Sequence, residues 1–87
     1  MAEYRLKRPI KNVNGEEITA VKIKEGFSGA DLEIMGNASA KGEGTMLVTI
    51  AAQVVEDFSP TYIRAMDARD VKALAEIGRS FLDDGKD

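Results

Sequence analysis

Apolar and polar positions alternate along the first quarter of the chain and fall into helical stripes after it. Tyr4 and Leu6 alternate with charged residues. Further on, Thr19, Val21 and Ile23 share one face of an extended segment while Lys22 and Lys24 share the other. Between them Asn14-Gly15 predicts a tight hairpin turn of type I′, in which both central residues take positive φ. The expected hairpin spans about residues 4–24. Ile18 is out of phase with Val21, so either it belongs to the turn or a bulge shifts the register near Thr19. Pro9 has no N–H to give to a ladder, which places it at an edge or end of its strand. Two strands alone are marginal in water, so the hairpin must pack on something else.

From Ser28 onward the period is helical. Ser28 with Asp31 three residues later reads as a capping box, and Leu32 and Met35 supply an apolar stripe for a helix over about 29–36, ended by Gly36-Asn37. The stretch Asn37 to Gly44 is small and polar and reads as the most mobile part of the domain. A second helix is expected over about 45–57. Leu47, Ile50, Ala51, Val54 and Phe58 make its apolar face, and Val48, Ala52 and Val55 widen that face well beyond a single stripe. Such a helix is either the centre of the domain or part of an interface, and an oligomer would reconcile the two. Ser59-Pro60 then starts a short helix over about 60–66 with Ile63 and Met66 on its apolar side. Asp67, with Asp70 three residues on, starts another over about 68–82 whose stripe is Val71, Leu74, Ile77, Phe81 and Leu82. Two helix starts so close together make a corner, turning the last helix back across the second. The acidic tail, residues 83–87, is expected to fray.

The pattern as a whole predicts an α+β fold: an N-terminal two-stranded antiparallel β-hairpin followed by three to four helices in one small domain covering residues 1–87. Composition narrows what such a domain does. There is no Cys, His or Trp among the 87 residues, which removes thiolate and imidazole metal ligands and the commonest general base. The net charge is −3 with both signs interspersed, against the clustered Lys and Arg of a nucleic-acid surface. The last two helices could imitate a helix-turn-helix, but Asp70, Glu76, Asp83 and Asp84 offset Arg69, Lys72 and Arg79. No apolar run reaches membrane-spanning length, and the first residues lack the apolar segment of a signal peptide, so a soluble cytoplasmic protein is expected.

The candidate chemical groups all have structural explanations. Asp67 and Asp70 read as helix caps rather than metal ligands, and the glycines at 42 and 44 lack the strand and the Lys-Ser/Thr of a phosphate loop. Tyr4 and Tyr62 read as half-buried core residues. No nucleophile, base and orienting group come together, so no catalytic residue, cofactor or metal is assigned and an enzyme is not expected. What remains is a binding surface. Val48, Ala52 and Val55 on the second helix, with Ile63 and Met66 on the third, are the candidate protein-binding residues, and Met suits an adaptable surface. Each could instead fill the core.

The order of these features resembles the small tail assembly chaperones of contractile-tailed, Mu-like phages. The resemblance rests on Leu6, Pro9, Ile10, Val13, Gly15, Ile18, Val21 and Ile23. It continues through Gly29, Asp31 and Leu32, then Phe58, Ser59 and Pro60, and ends on Met66, Asp67 and Asp70. It covers nearly the whole chain, and order and spacing carry it rather than any single motif. Gly26-Phe27 stands where that family often has a basic residue and a proline, and Phe58 and Met66 replace leucines. The resemblance implies a non-catalytic protein of the bacterial host cytoplasm, absent from the mature virion. Its implied partner is the tape measure protein, held soluble until tail tube protein polymerises around it. Homo-oligomers are compatible with this. A frameshifted longer form is also implied, and Ser80-Phe81-Leu82 is codon-compatible with a slippery run. No nucleic acid or membrane partner is implied. A reading of another class is a small acidic adaptor that blocks a host or phage protein.

Overall fold

The hairpin is closed by its asparagines. In the computed structural model, which describes residues 2–56 and 60–82, β1 (Ala2–Lys11) pairs antiparallel with β2 (Glu17–Ile23). The Asn12 N–H donates to the Glu16 carbonyl and the Gly15 N–H to the Asn12 carbonyl, both at 3.0 Å. The Asn12 side-chain oxygen also accepts from the N–H groups of Asn14 and Glu16. The loop is therefore three residues long, Val13 to Gly15, rather than the two-residue turn expected from Asn14-Gly15. Gly15 takes the left-handed position, φ 80°, that closes a turn of this length.

The register does shift opposite Thr19, and the extra residues lie in β1. Arg5 faces Ala20 and Ile10 faces Ile18, so residues 6–9 stand against Thr19 alone. Pro9 falls inside this bulge, where no ladder needs its missing donor. The bulge keeps both Leu6 and Ile10 buried, on the same side as Val21 and Ile23.

Four helices follow: α1 (Gly29–Ser39), α2 (Glu43–Val54), α3 (Pro60–Ala65) and α4 (Ala68–Ser80). This is the expected α+β architecture of a hairpin and a small helical layer. The capping box at Ser28 forms, with Ser28 and Asp31 each accepting from the other's backbone N–H. Its helix runs through Gly36 and Asn37 to Ser39, so the predicted stop does not occur, and α2 begins at Glu43. Ala40 to Gly42 is all that stays outside the helices of the stretch expected to be mobile. Leu32 does not join a buried stripe. It is 52% exposed, and Met35 and Ala38 are the buried residues of α1.

α2 is the centre, with Ile50, Ala51, Ala52 and Val54 buried and α1, α3 and α4 all packed against it. It ends at Val54, short of the expected Asp57. Val55 turns extended and bridges to Ile23, while Lys24 N–H donates to the Val54 carbonyl and Glu56 N–H to the Lys22 carbonyl. The β-branched Val55 suits this extended position, and its neighbours Val54 and Glu56 make the two hydrogen bonds that flank the bridge. The chain leaving α2 thus ties the helical layer to the hairpin.

α4 crosses α2 as the corner requires, and Pro60 takes the first position of α3. The predicted cap at Ser59, the apolar Phe58 and the tail 83–87 lie outside the described residues. The buried face of α4 is Asp70, Val71, Leu74, Ala75 and Gly78, so Ile77 and Phe81 sit at its margin and Leu82 is half exposed. Gly78 sets how close the two helices come. A Cβ placed there would lie 2.6 Å from Ile50 Cγ2 and 2.7 Å from Val54 Cγ2. Phe27, from the link before α1, closes this seam with an edge-on contact to Phe81, ring centroids 5.0 Å apart.

Candidate functional site

Asp70 fixes β1 against α4. Its side chain is fully buried, and it accepts from the Tyr4 hydroxyl at 2.8 Å, from Lys7 N–H at 2.9 and 3.1 Å, and from Arg8 N–H at 3.3 Å. The bulge frees those two N–H groups from the ladder, and the first turn of α4 is a favourable place for a negative charge. Asp70 is therefore not a helix cap, as its spacing from Asp67 suggested. It is a buckle between residues more than sixty positions apart. Burial and the hydrogen bond to Asp70 push the Tyr4 hydroxyl from its ordinary 10.0 up to about 12. Asp67 does cap α4, accepting from Arg69 N–H at 2.8 Å, and the Arg69 guanidinium and N–H hold its carboxyl down at about 2. Tyr62 accepts from Val13 N–H at 3.2 Å, tying the hairpin loop to α3.

A groove of about 560 Å³ runs between the start of α2, α3 and the start of α4. Leu47 and Val48 form one wall, and Ile63, Met66 and Val71 the floor and the other wall. Arg64 and Lys72, both exposed, stand among the lining residues. A second, smaller depression of about 300 Å³ adjoins it, sharing Thr45 and Arg64 and reaching Ile34 and Lys41. Ile34 is 45% exposed. Among the described residues no carboxylate lines either depression.

The five residues singled out from the sequence divide around this groove. Val48 is half-buried and lines it, as do the more deeply set Ile63 and Met66. Ala52 and Val55 lie in the core and are not among its lining residues. Leu47, Arg64, Val71 and Lys72 also line the groove and were not singled out. Leu47 and Val71 read as plain stripe positions, and a cation at a groove mouth leaves no local signature.

Residues 3–83 match the model of a family described as phage tail assembly chaperone proteins, E, or 41 or 14. The chain belongs to that family. Neither the curated proteins nor the solved structures hold a match to it. The match runs from β1 through the last turn of α4, so the buckle and the groove both lie within the part that defines this tail assembly chaperone family. The chaperone role suggests a non-catalytic protein, and no helix among the described residues is long and apolar enough to cross a membrane.

Proposed function

We propose that the protein is a non-catalytic chaperone that binds the tape measure protein and keeps it soluble until tail tube protein polymerises around it. The observation that carries this reading is an open apolar groove on a member of a tail assembly chaperone family. A long helical protein with apolar stripes aggregates unless those stripes are covered, and a groove between helices covers them in the helix-in-groove manner. Val48 and Met66 make the contacts, while Ile63, Ala52 and Val55 belong to the buried core cluster. The chaperone works in the host cytoplasm, alone or as a homo-oligomer, and leaves before the virion is complete. A longer form of the chain, made by frameshifting near Ser80-Phe81-Leu82, brings in the tail tube protein. The gene sequence tests that last step, because without a slippery run at those codons it cannot occur.

The test of the main reading is co-expression with the tape measure protein of the same phage. The tagged chain is pulled down, the eluate read by mass spectrometry and its mass measured by light scattering. Soluble tape measure protein with several copies of the chain supports the reading. A tape measure protein that stays insoluble with or without the chain, or a host protein recovered at simple stoichiometry, refutes it.

A further inference from the structure

The two depressions form one trough, and its charge is opposite to that of the chain. Thr45 and Arg64 belong to both, so the apolar groove of Val48, Met66 and Val71 continues past the start of α2 into a more polar stretch that holds Ile34 and Ala38 of α1. Among the described residues three cations line it, Lys41, Arg64 and Lys72, and no Asp or Glu does, although the protein carries 15 acidic residues against 12 basic ones. Among the described residues ion pairs form only between Lys24 and Asp31 and between Arg69 and Asp67. All three trough cations are exposed and have no carboxylate partner there.

We propose that this trough takes an amphipathic α-helix whose apolar stripe is flanked by Asp or Glu residues. This rests on the chaperone reading and names the kind of segment it selects. The shape favours a helix over a small molecule, because pockets for small ligands enclose most of the ligand surface and this trough is open along its length. Apolar side chains of the helix one turn apart enter between Val48 and Met66. Its carboxylates meet Arg64 and Lys72 at one end and Lys41 at the other. Rim pairs of this kind add little affinity each but set orientation and exclude partners of the wrong charge. A helix with basic flanks meets three unpaired cations and is rejected.

The test uses the full chain and two synthetic helical peptides of about five turns each. They share one leucine stripe and differ only in flanking residues, Glu in one and Lys in the other. Fluorescence anisotropy measures the affinities, and backbone amide shifts map the contact. The Glu-flanked peptide is expected to bind at least about tenfold more tightly, with shifts at residues 45–48, 63–66 and 71–72. The exposed pair R64E/K72E keeps the fold, checked by circular dichroism, and inverts the preference. Equal affinities to within about twofold, no binding of either peptide, or shifts confined to the hairpin overturn the proposal. Capture of the tape measure protein undiminished by R64E/K72E also overturns the trough while leaving the chaperone reading standing. Loss of capture by the unaltered chain, together with a clear preference for Glu flanks, sinks the chaperone reading and keeps the trough.

Discussion

Replacing Asp70 tests whether the buckle holds the two ends of the chain together. In Asp70→Ala the Tyr4 hydroxyl and the Lys7 and Arg8 N–H groups all lose their acceptor. A hydrogen bond to a charged group contributes roughly 1.5–3 kcal/mol. The bonds from Tyr4 and Lys7 are short and count in full at the lower figure, whereas the 3.3 Å bond from Arg8 adds only a fraction. Water reaches parts of β1, and removing a buried carboxylate recovers some of its desolvation cost, so the sum settles near 3 kcal/mol. A core of this size supplies only about 3–5 kcal/mol net, so Asp70→Ala should be close to unfolded at room temperature. Asp70→Asn keeps the volume and one acceptor oxygen and should lose about 1–2 kcal/mol. Urea unfolding followed by far-ultraviolet circular dichroism reads both. Tyr4→Phe in each background closes a double-mutant cycle, with a coupling of about 1 kcal/mol expected. The reasoning is refuted if Asp70→Ala loses no more than Lys72→Ala, an exposed change two residues away on the same helix.

Three further outcomes follow from the same packing. Gly78→Ala should destabilise by about 1–2 kcal/mol, because its Cβ meets two β-branched side chains of α2, whereas Gly36→Ala in α1 meets nothing within 4 Å and should stabilise by about 0.5–1 kcal/mol; thermal melts of the pair separate a packing effect from helix propensity. Because the folded state holds the Tyr4 proton more tightly than the unfolded chain does, stability is fully present below pH 10 and falls as pH rises towards 12; urea titrations at several alkaline pH values should show that fall, and Tyr4→Phe should flatten it. Ser28→Ala removes half of the capping box and should cost about 1 kcal/mol, with amide exchange at the first turn of α1 rising before that elsewhere.

The sequence made local chemistry legible and hid distant partners. Ser28 with Asp31, Pro60 at a helix start, and the wide apolar face of the second helix each announce their role within a few residues. Asp70 sits three residues after a cap and looks like part of it, because the strand that uses it lies at the other end of the chain. Gly78 looks like a weak point in a helix, because the close approach of α2 is a property of the pair. Gly36-Asn37 has the composition of a stop, yet burial of Met35 and Ala38 on either side carries α1 through it. Val55 fits a helical stripe as well as it fits a sheet, and only the open edge of β2 decides between them. The groove was legible as an excess of apolar residues, but which of them face outward depends on where α3 and α4 come to rest.

The buckle also has a consequence for synthesis. β1 leaves the ribosome before α4, and the carboxylate that receives its bulge is translated more than sixty residues later. The chain emerges with an early hairpin that has nothing to pack against and a second helix whose apolar sides are open. Domains fold as units once their parts are present, so closure waits for α4 to clear the ribosome. Up to that moment the nascent chain exposes more apolar surface than the finished protein does.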